Sequence, residues 1–193
     1  MEIDESFVHY KKLLTDVELL TKVLQKRFAK QITCHLGCTS CCYQQLSLFQ
    51  VEADFISKAV KKLTPETQKK LLLAAQAIET QTNTSEACPM LDGLACSIYE
   101  SRPVICRTHG FPITFKDDES QELCLDVCPL NFSEEGDAVE LNLTDTIDID
   151  RLNLRLAAIN YAYCRDTLAD SKKSAERIPM FEIIISTLTN LGL

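Results

Sequence analysis

The chain has 193 residues, 46% hydrophobic and 25% charged, and carries a formal net charge of -8 at pH 7. That length supports about one domain's core. The acidic balance speaks against nucleic-acid binding, which draws on clustered Lys and Arg. No apolar run approaches the roughly 18 residues a membrane span requires.

A first helix is expected within the first thirty residues, where Phe7, Tyr10, Leu13, Leu14, Val17, Leu20, Leu24 and Phe28 recur at three- and four-residue steps, with Ser6 as its N-cap. A second runs through Val51, Phe55, Val60 and Leu63, and Thr64-Pro65 opens a third that carries Leu72, Ala75 and Ile78. From Asn83 to about Asp150 the helical period vanishes, with turns expected at Gly93, Gly110 and Gly136. Short strands are expected at Ile113–Phe115 and at Val139–Leu143. Helix returns after Asp150 through Leu152, Leu156, Ile159 and Tyr163, and again from Pro179 to Leu191, closing at Gly192. The expected fold is mainly α, with helices packed around an irregular cysteine-rich metal-binding segment that holds at most short strands.

Ten cysteines dominate the chemistry. Thiols at that density become disulfides in oxidising surroundings and stay free for metal or redox work in reducing ones. Met1 to Ser6 is acidic and leads into an amphipathic pattern rather than an apolar secretory core, so the expectation is a cytoplasmic protein with reduced cysteines.

Cys34, Cys38, Cys41 and Cys42 stand at i, i+4, i+7 and i+8. A helix would put these sulfurs on one side, and a loop would converge them equally well. Either way the thiolates are soft donors that suit zinc, iron-sulfur clusters or copper(I) rather than calcium or magnesium. A single reduced cysteine is most often a small buried hydrophobe, but that account does not cover four so closely spaced. Cys34, Cys38 and Cys41 also match the spacing with which radical enzymes using S-adenosylmethionine hold a four-iron cluster. Those enzymes need repeated strand-helix units that this chain lacks.

The second group reads Cys88-Pro89-Met90-Leu91-Asp92-Gly93-Leu94-Ala95-Cys96-Ser97-Ile98-Tyr99-Glu100-Ser101-Arg102-Pro103-Val104-Ile105-Cys106-Arg107, followed by Cys128-Pro129. With the upstream cluster it resembles the CxxCxxCC family of zinc- or iron-chelating proteins, also called the YkgJ family of cysteine-cluster proteins. Flagellin lysine methylases are similar in this cluster. The resemblance implies that Cys34, Cys38, Cys41, Cys42, Cys88, Cys96, Cys106 and Cys128 are metal ligands, enough for two four-sulfur sites. Three residues separate Cys34 from Cys38 where the family name implies two. The implied organisation is a single domain, 1–193, with a metal-binding core at 34–129 and flanking helices at 1–33 and 150–193. The implied function is chelation of zinc or iron. The alternative is an iron-sulfur enzyme related to the flagellin lysine N-methylases, with some cysteines holding the cluster. The partner is a metal ion, with no nucleic acid or membrane.

Among the remaining residues, Arg102 and Arg107 flank Cys106 and serve either as cations that favour thiolate or as plain ion-pair partners. Pro89, Pro103 and Pro129 stiffen the loops that present sulfur. His109 and His35 are candidate fourth ligands, whereas His9 reads as an exposed helical residue. Tyr99 and Phe111 are expected to pack around the site, Cys124 to pair with Cys128 in spacing, and Cys164 to be core. A hydrolase based on a cysteine nucleophile is the weakest reading, because nothing distinguishes one thiol among ten.

Overall fold

The computed structural model describes residues 5–35, 37–80, 87–132 and 141–192. Of these residues 57% are helical and 10% lie in strands, so the protein is mainly α, as its periodicity predicts. The helices are α1 (Val8–Arg27), α2 (Gln50–Val60), α3 (Pro65–Thr80), α4 (Val104–Thr108), α5 (Ile149–Asp166) and α6 (Met180–Thr189). Contacts divide the described chain into two compact units: one holds 5–7, 37–80, 87–103 and 160–192, the other 8–35, 104–132 and 141–159.

In the first unit α2, α3 and α6 enclose an apolar core. Ile56, Val60, Leu71, Ala75, Ile183, Ile184 and Leu188 are buried there, and Met90 and Ile98 join them from the cysteine-bearing segment. α3 begins where the sequence places it. Thr64 Oγ1 accepts from Thr67 N at 3.3 Å, and Pro65, whose missing N–H needs no partner in a first turn, opens the helix. Gln68 then reaches back, its Nε2 donating to Val60 O at 3.0 Å and so closing the end of α2. Two short antiparallel pairs complete the unit. β1 (Ser47–Leu48) pairs with β7 (Ile178–Pro179), and β2 (Leu91–Asp92) pairs with β3 (Ala95–Cys96). The turn between β2 and β3 holds Gly93 at φ 63°, a left-handed conformation that glycine adopts without penalty.

The second unit is built on α1, which buries Tyr10, Leu13, Leu14, Val17 and Leu24. Leu20, expected in the same stripe, is 38% exposed. Ser6 lies inside a 3-10 turn, Glu5–Phe7, rather than at the cap of α1. A three-stranded sheet has β4 (Ile113–Lys116) at its centre, antiparallel to β5 (Leu123–Asp126) and parallel to β6 (Ile147–Asp148). β4 matches the predicted strand, and β5 was not anticipated. The strand expected at Val139–Leu143 falls partly outside the described residues. Its end is a 3-10 turn, Leu143–Asp145, because the Asp145 carboxylate accepts from Asn142 N at 3.2 Å and curls the chain. Asp145 is buried and pairs with Arg27 at 2.7 Å, while Arg155 pairs with Asp16 at 2.7 Å, tying the sheet edge and α5 to α1.

Candidate metal centre

Five of the eight candidate ligands belong to the first unit. Gly37 at φ 97° turns the chain into Cys38, and Cys41 and Cys42 sit in a 3-10 turn, Ser40–Tyr43, closed by Cys42 N donating to Thr39 O at 2.8 Å. Among the described residues, Cys34 and Cys38 therefore lie on non-helical backbone and Cys41 and Cys42 in a tight turn, the second of the two arrangements the spacing allows. Cys88 N donates to Cys42 O at 2.6 Å, which brings the second cysteine segment alongside the first. Leu91 N donates to Cys88 O at 2.9 Å, and the hairpin of β2 and β3 carries Cys96 back, with Leu91 opposite Cys96 in register. Cys88 and Cys96 rest partly buried on the apolar core.

The electrostatics of this group follow from that convergence. Burial pushes the Cys88 thiol up to about 12, with Cys96, Cys42 and Cys41 adding to the shift, and pushes Cys41 up to about 11, with Cys42 and Cys38 adding to it. Cys42 and Cys96 are raised chiefly by burial as well. Like charges close together disfavour one another's ionisation, which adds to the effect of burial at Cys41, Cys42, Cys88 and Cys96. Several features oppose the shifts, among them a side-chain hydrogen bond from Cys41 at Cys42. The backbone N–H of Met90 donates to the Cys88 sulfur and that of Ile98 to the Cys96 sulfur, in each case from two residues further on. The Arg102 guanidinium lowers both Cys42 and Cys96. Arg102 is itself held in place, its guanidinium 3.6 Å from the Tyr99 ring centroid and its Nε donating to Tyr99 O at 3.0 Å.

The two arginines that flank Cys106 have thus parted company. Arg107 is buried on α4 and forms an ion pair with Glu18 of α1, the structural alternative. Tyr99 is 45% exposed and supports Arg102 rather than packing as an apolar wall.

Cys34, Cys106 and Cys128 belong to the second unit, Cys106 on α4 and the other two on irregular backbone. Cys34 is held by Thr33 and Asn131: Thr33 N donates to Asn131 Oδ1 at 2.9 Å, and Asn131 Nδ2 lies 3.5 Å from Cys34 Sγ. Cys124 lies on β5 opposite Phe115. His109 follows α4, its imidazole lowered by partial desolvation and raised in opposition by Asp126. His35 Nδ1 is 2.8 Å from Thr33 O, and His9 is exposed on α1. Cys164 is fully buried on α5, as core placement predicts. Sequence reasoning missed Asn131 altogether and treated Gly110 only as a turn. Neither carries a local signal, because their contacts with Cys34 join segments far apart in the chain.

None of the ten cysteines, all of which lie among the described residues, is joined to another in a disulfide. Among the described residues, no group of three or more His, Cys, Asp or Glu side chains is arranged to hold a metal ion. The donor set nevertheless fits zinc or iron. It is all sulfur, a backbone hydrogen bond joins its two segments, and backbone N–H groups at Met90 and Ile98 and the charge of Arg102 favour anionic sulfur there.

The family model for CxxCxxCC, a putative zinc- or iron-chelating domain, matches residues 33–129. The chain belongs to the CxxCxxCC family. Every cysteine except Cys164 falls within the matched span, and Cys164 is the one the fold buries in its core. Neither a curated protein nor a solved structure matches the chain. No helix among the described residues is long and apolar enough to cross a membrane.

Proposed function

We propose that this protein chelates zinc or iron through Cys34, Cys38, Cys41, Cys42, Cys88, Cys96, Cys106 and Cys128, in a reducing, cytoplasmic setting. The observation that carries the reading is the meeting of two cysteine-bearing segments, where Cys88 N donates to Cys42 O at 2.6 Å and the β2–β3 hairpin returns Cys96 beside Cys88, next to the turn that holds Cys41 and Cys42. A cation relieves the repulsion between thiolates there, and a soft divalent metal does so while replacing the protons. Amide N–H groups two residues beyond Cys88 and Cys96 are positioned to stabilise sulfur once it is anionic. Membership of the CxxCxxCC family supports the same chemistry. Cys34, Cys106 and Cys128, in the second unit, are the remaining proposed ligands.

The deciding experiment is anaerobic purification of the full chain followed by elemental analysis and a visible spectrum. A colourless protein carrying zinc supports a structural or binding role. A brown iron-sulfur chromophore points instead towards a redox or catalytic role, with protein-lysine N-methylation as the reaction to assay. Protein that contains neither metal, and takes up neither when offered, sinks the proposal.

A further inference from the structure

The side chain that holds Cys34 is Asn131, which lies beyond the span matched by the family model and is only 2% exposed. Its Oδ1 accepts from Thr33 N at 2.9 Å and from Thr33 Oγ1 at 3.0 Å, while its Nδ2 donates to Gly110 O and lies 3.5 Å from Cys34 Sγ. A backbone N–H only donates and a carbonyl only accepts, so these two partners decide which way round the amide sits. The NH2 edge therefore faces the sulfur. The amide oxygen is farther from that sulfur, at 3.8 Å, where it accepts from Cys34 Sγ as long as the sulfur carries its proton.

Gly110 makes the second half of the arrangement. A Cβ at this position would stand 2.8 Å from Cys34 Sγ and 3.4 Å from Asn131 Nδ2, and the backbone is at φ +96°, which side chains rarely adopt. Space for the sulfur exists only because the residue is glycine. Cys164 Sγ, by comparison, lies 3.7 Å from Asn160 Oδ1, an oxygen whose identity is set by its acceptance from Val51 N at 3.0 Å. At Cys34 the nearer amide atom is the donor, which suits S⁻.

We propose that Asn131 and Gly110 form a seat that holds the Cys34 sulfur as a metal-bound thiolate, with Asn131 as a positioning residue donating N–H to sulfur. The inference rests on the chelating reading above. Partners of this kind typically change metal affinity about 10- to 100-fold without touching the metal.

The test uses the full-length, reduced protein and cobalt(II), whose sulfur-to-metal charge-transfer absorption counts bound thiolates. Cys34→Ser should reduce that absorption. Asn131→Asp, which keeps the shape and the acceptor but loses the donor, and Asn131→Ala should weaken the Cys34-dependent part of binding about 10- to 100-fold. Either change made on top of Cys34→Ser should cost nothing more. Wild-type cobalt affinity in both Asn131 variants, or unchanged absorption in Cys34→Ser, overturns the inference while leaving the chelating reading intact. Should the variants not fold, the wild-type protein loaded with cadmium-113 answers the same question. A scalar coupling between the Asn131 side-chain amide proton and cadmium, transmitted through sulfur, supports the seat, and its absence overturns it. Wild-type protein that takes up neither cobalt nor cadmium defeats the chelating reading itself, and the seat with it.

Discussion

Cys41 and Cys42 are neighbours in one tight turn, yet their surroundings differ. Burial raises both thiols, Cys41 to about 11, and the Arg102 guanidinium opposes the rise at Cys42. Adjacent side chains point in different directions and share one tetrahedral metal with difficulty. We expect Cys41→Ser and Cys42→Ser each to lower the metal-to-protein ratio, and Cys164→Ser, a change in the core, to leave it unaltered. Equal metal in all three variants would remove both residues from the ligand set. The raised thiols also make a prediction about pH. The folded chain holds the protons of Cys41 and Cys88 more tightly than an unfolded chain with the ordinary value of 9.0. That contribution to stability is present in full below pH 9.0 and is lost as pH rises through about 11 and about 12. The melting temperature of chelator-treated, reduced protein should therefore fall as the buffer is taken upward from pH 9.0, and a flat profile there would contradict the assigned environment. Because a metal must displace those protons, its affinity should rise with pH.

At the scale of elements, the ends of helices hold the first unit together. Asn160, buried on α5, accepts from Val51 N in the first turn of α2 and donates through Nδ2 to Ser174 O at 3.1 Å. An α-helix leaves its first N–H groups without internal partners, so this side chain supplies what α2 cannot supply for itself. Asn160→Ala leaves a buried N–H and a carbonyl short of a partner, and is expected to cost about 1–3 kcal/mol for each group so stranded, measured by urea unfolding. Ile184→Ala, a fully buried residue of α6, should cost about 2–5 kcal/mol through the cavity it opens. Neither change touches a cysteine, so metal content per folded molecule should stay as in the wild type. The strands behave differently from the helices. β5 alternates, but its apolar residues face outward, Leu123 at 55% and Leu125 at 48% exposure, so the usual sign of a half-buried strand is inverted. β1 and β7 are two residues each and pair across most of the chain's length, which leaves no local trace.

For the molecule as a whole, the cysteine-bearing segment is the part least able to hold itself. Residues 87–132 contain only short strands, turns and the five-residue α4. Structural zinc contributes about 10–16 kcal/mol of apparent binding energy in small peptides, comparable with the roughly 5–15 kcal/mol that stabilises a whole domain. Metal removal should therefore loosen this segment first. Limited proteolysis of verified metal-free protein should cut between Cys88 and Asn131 well before it cuts α1, α5 or α6, and an unchanged cleavage pattern would rule out a structural role for the metal.

Local physics was legible from the residues themselves. Thr64-Pro65 marks the start of α3 because a cap and a fixed φ act within one turn, the stripes of α1 and α5 follow from a period of 3.6, and the density of thiols restricts the chemistry to soft metals whatever the fold. The neighbours of the cysteines were not legible. Within one unit the folded chain places Cys34 against Asn131 and Gly110, and within the other it sets Cys42 beside Cys88. Arg102 and Arg107 look alike on either side of Cys106, and only packing makes one a neighbour of thiols and the other the partner of Glu18. Capping, turn and periodicity signals act over a few residues, while sulfur's neighbours are brought in by hydrogen bonds and burial between segments that no local pattern connects.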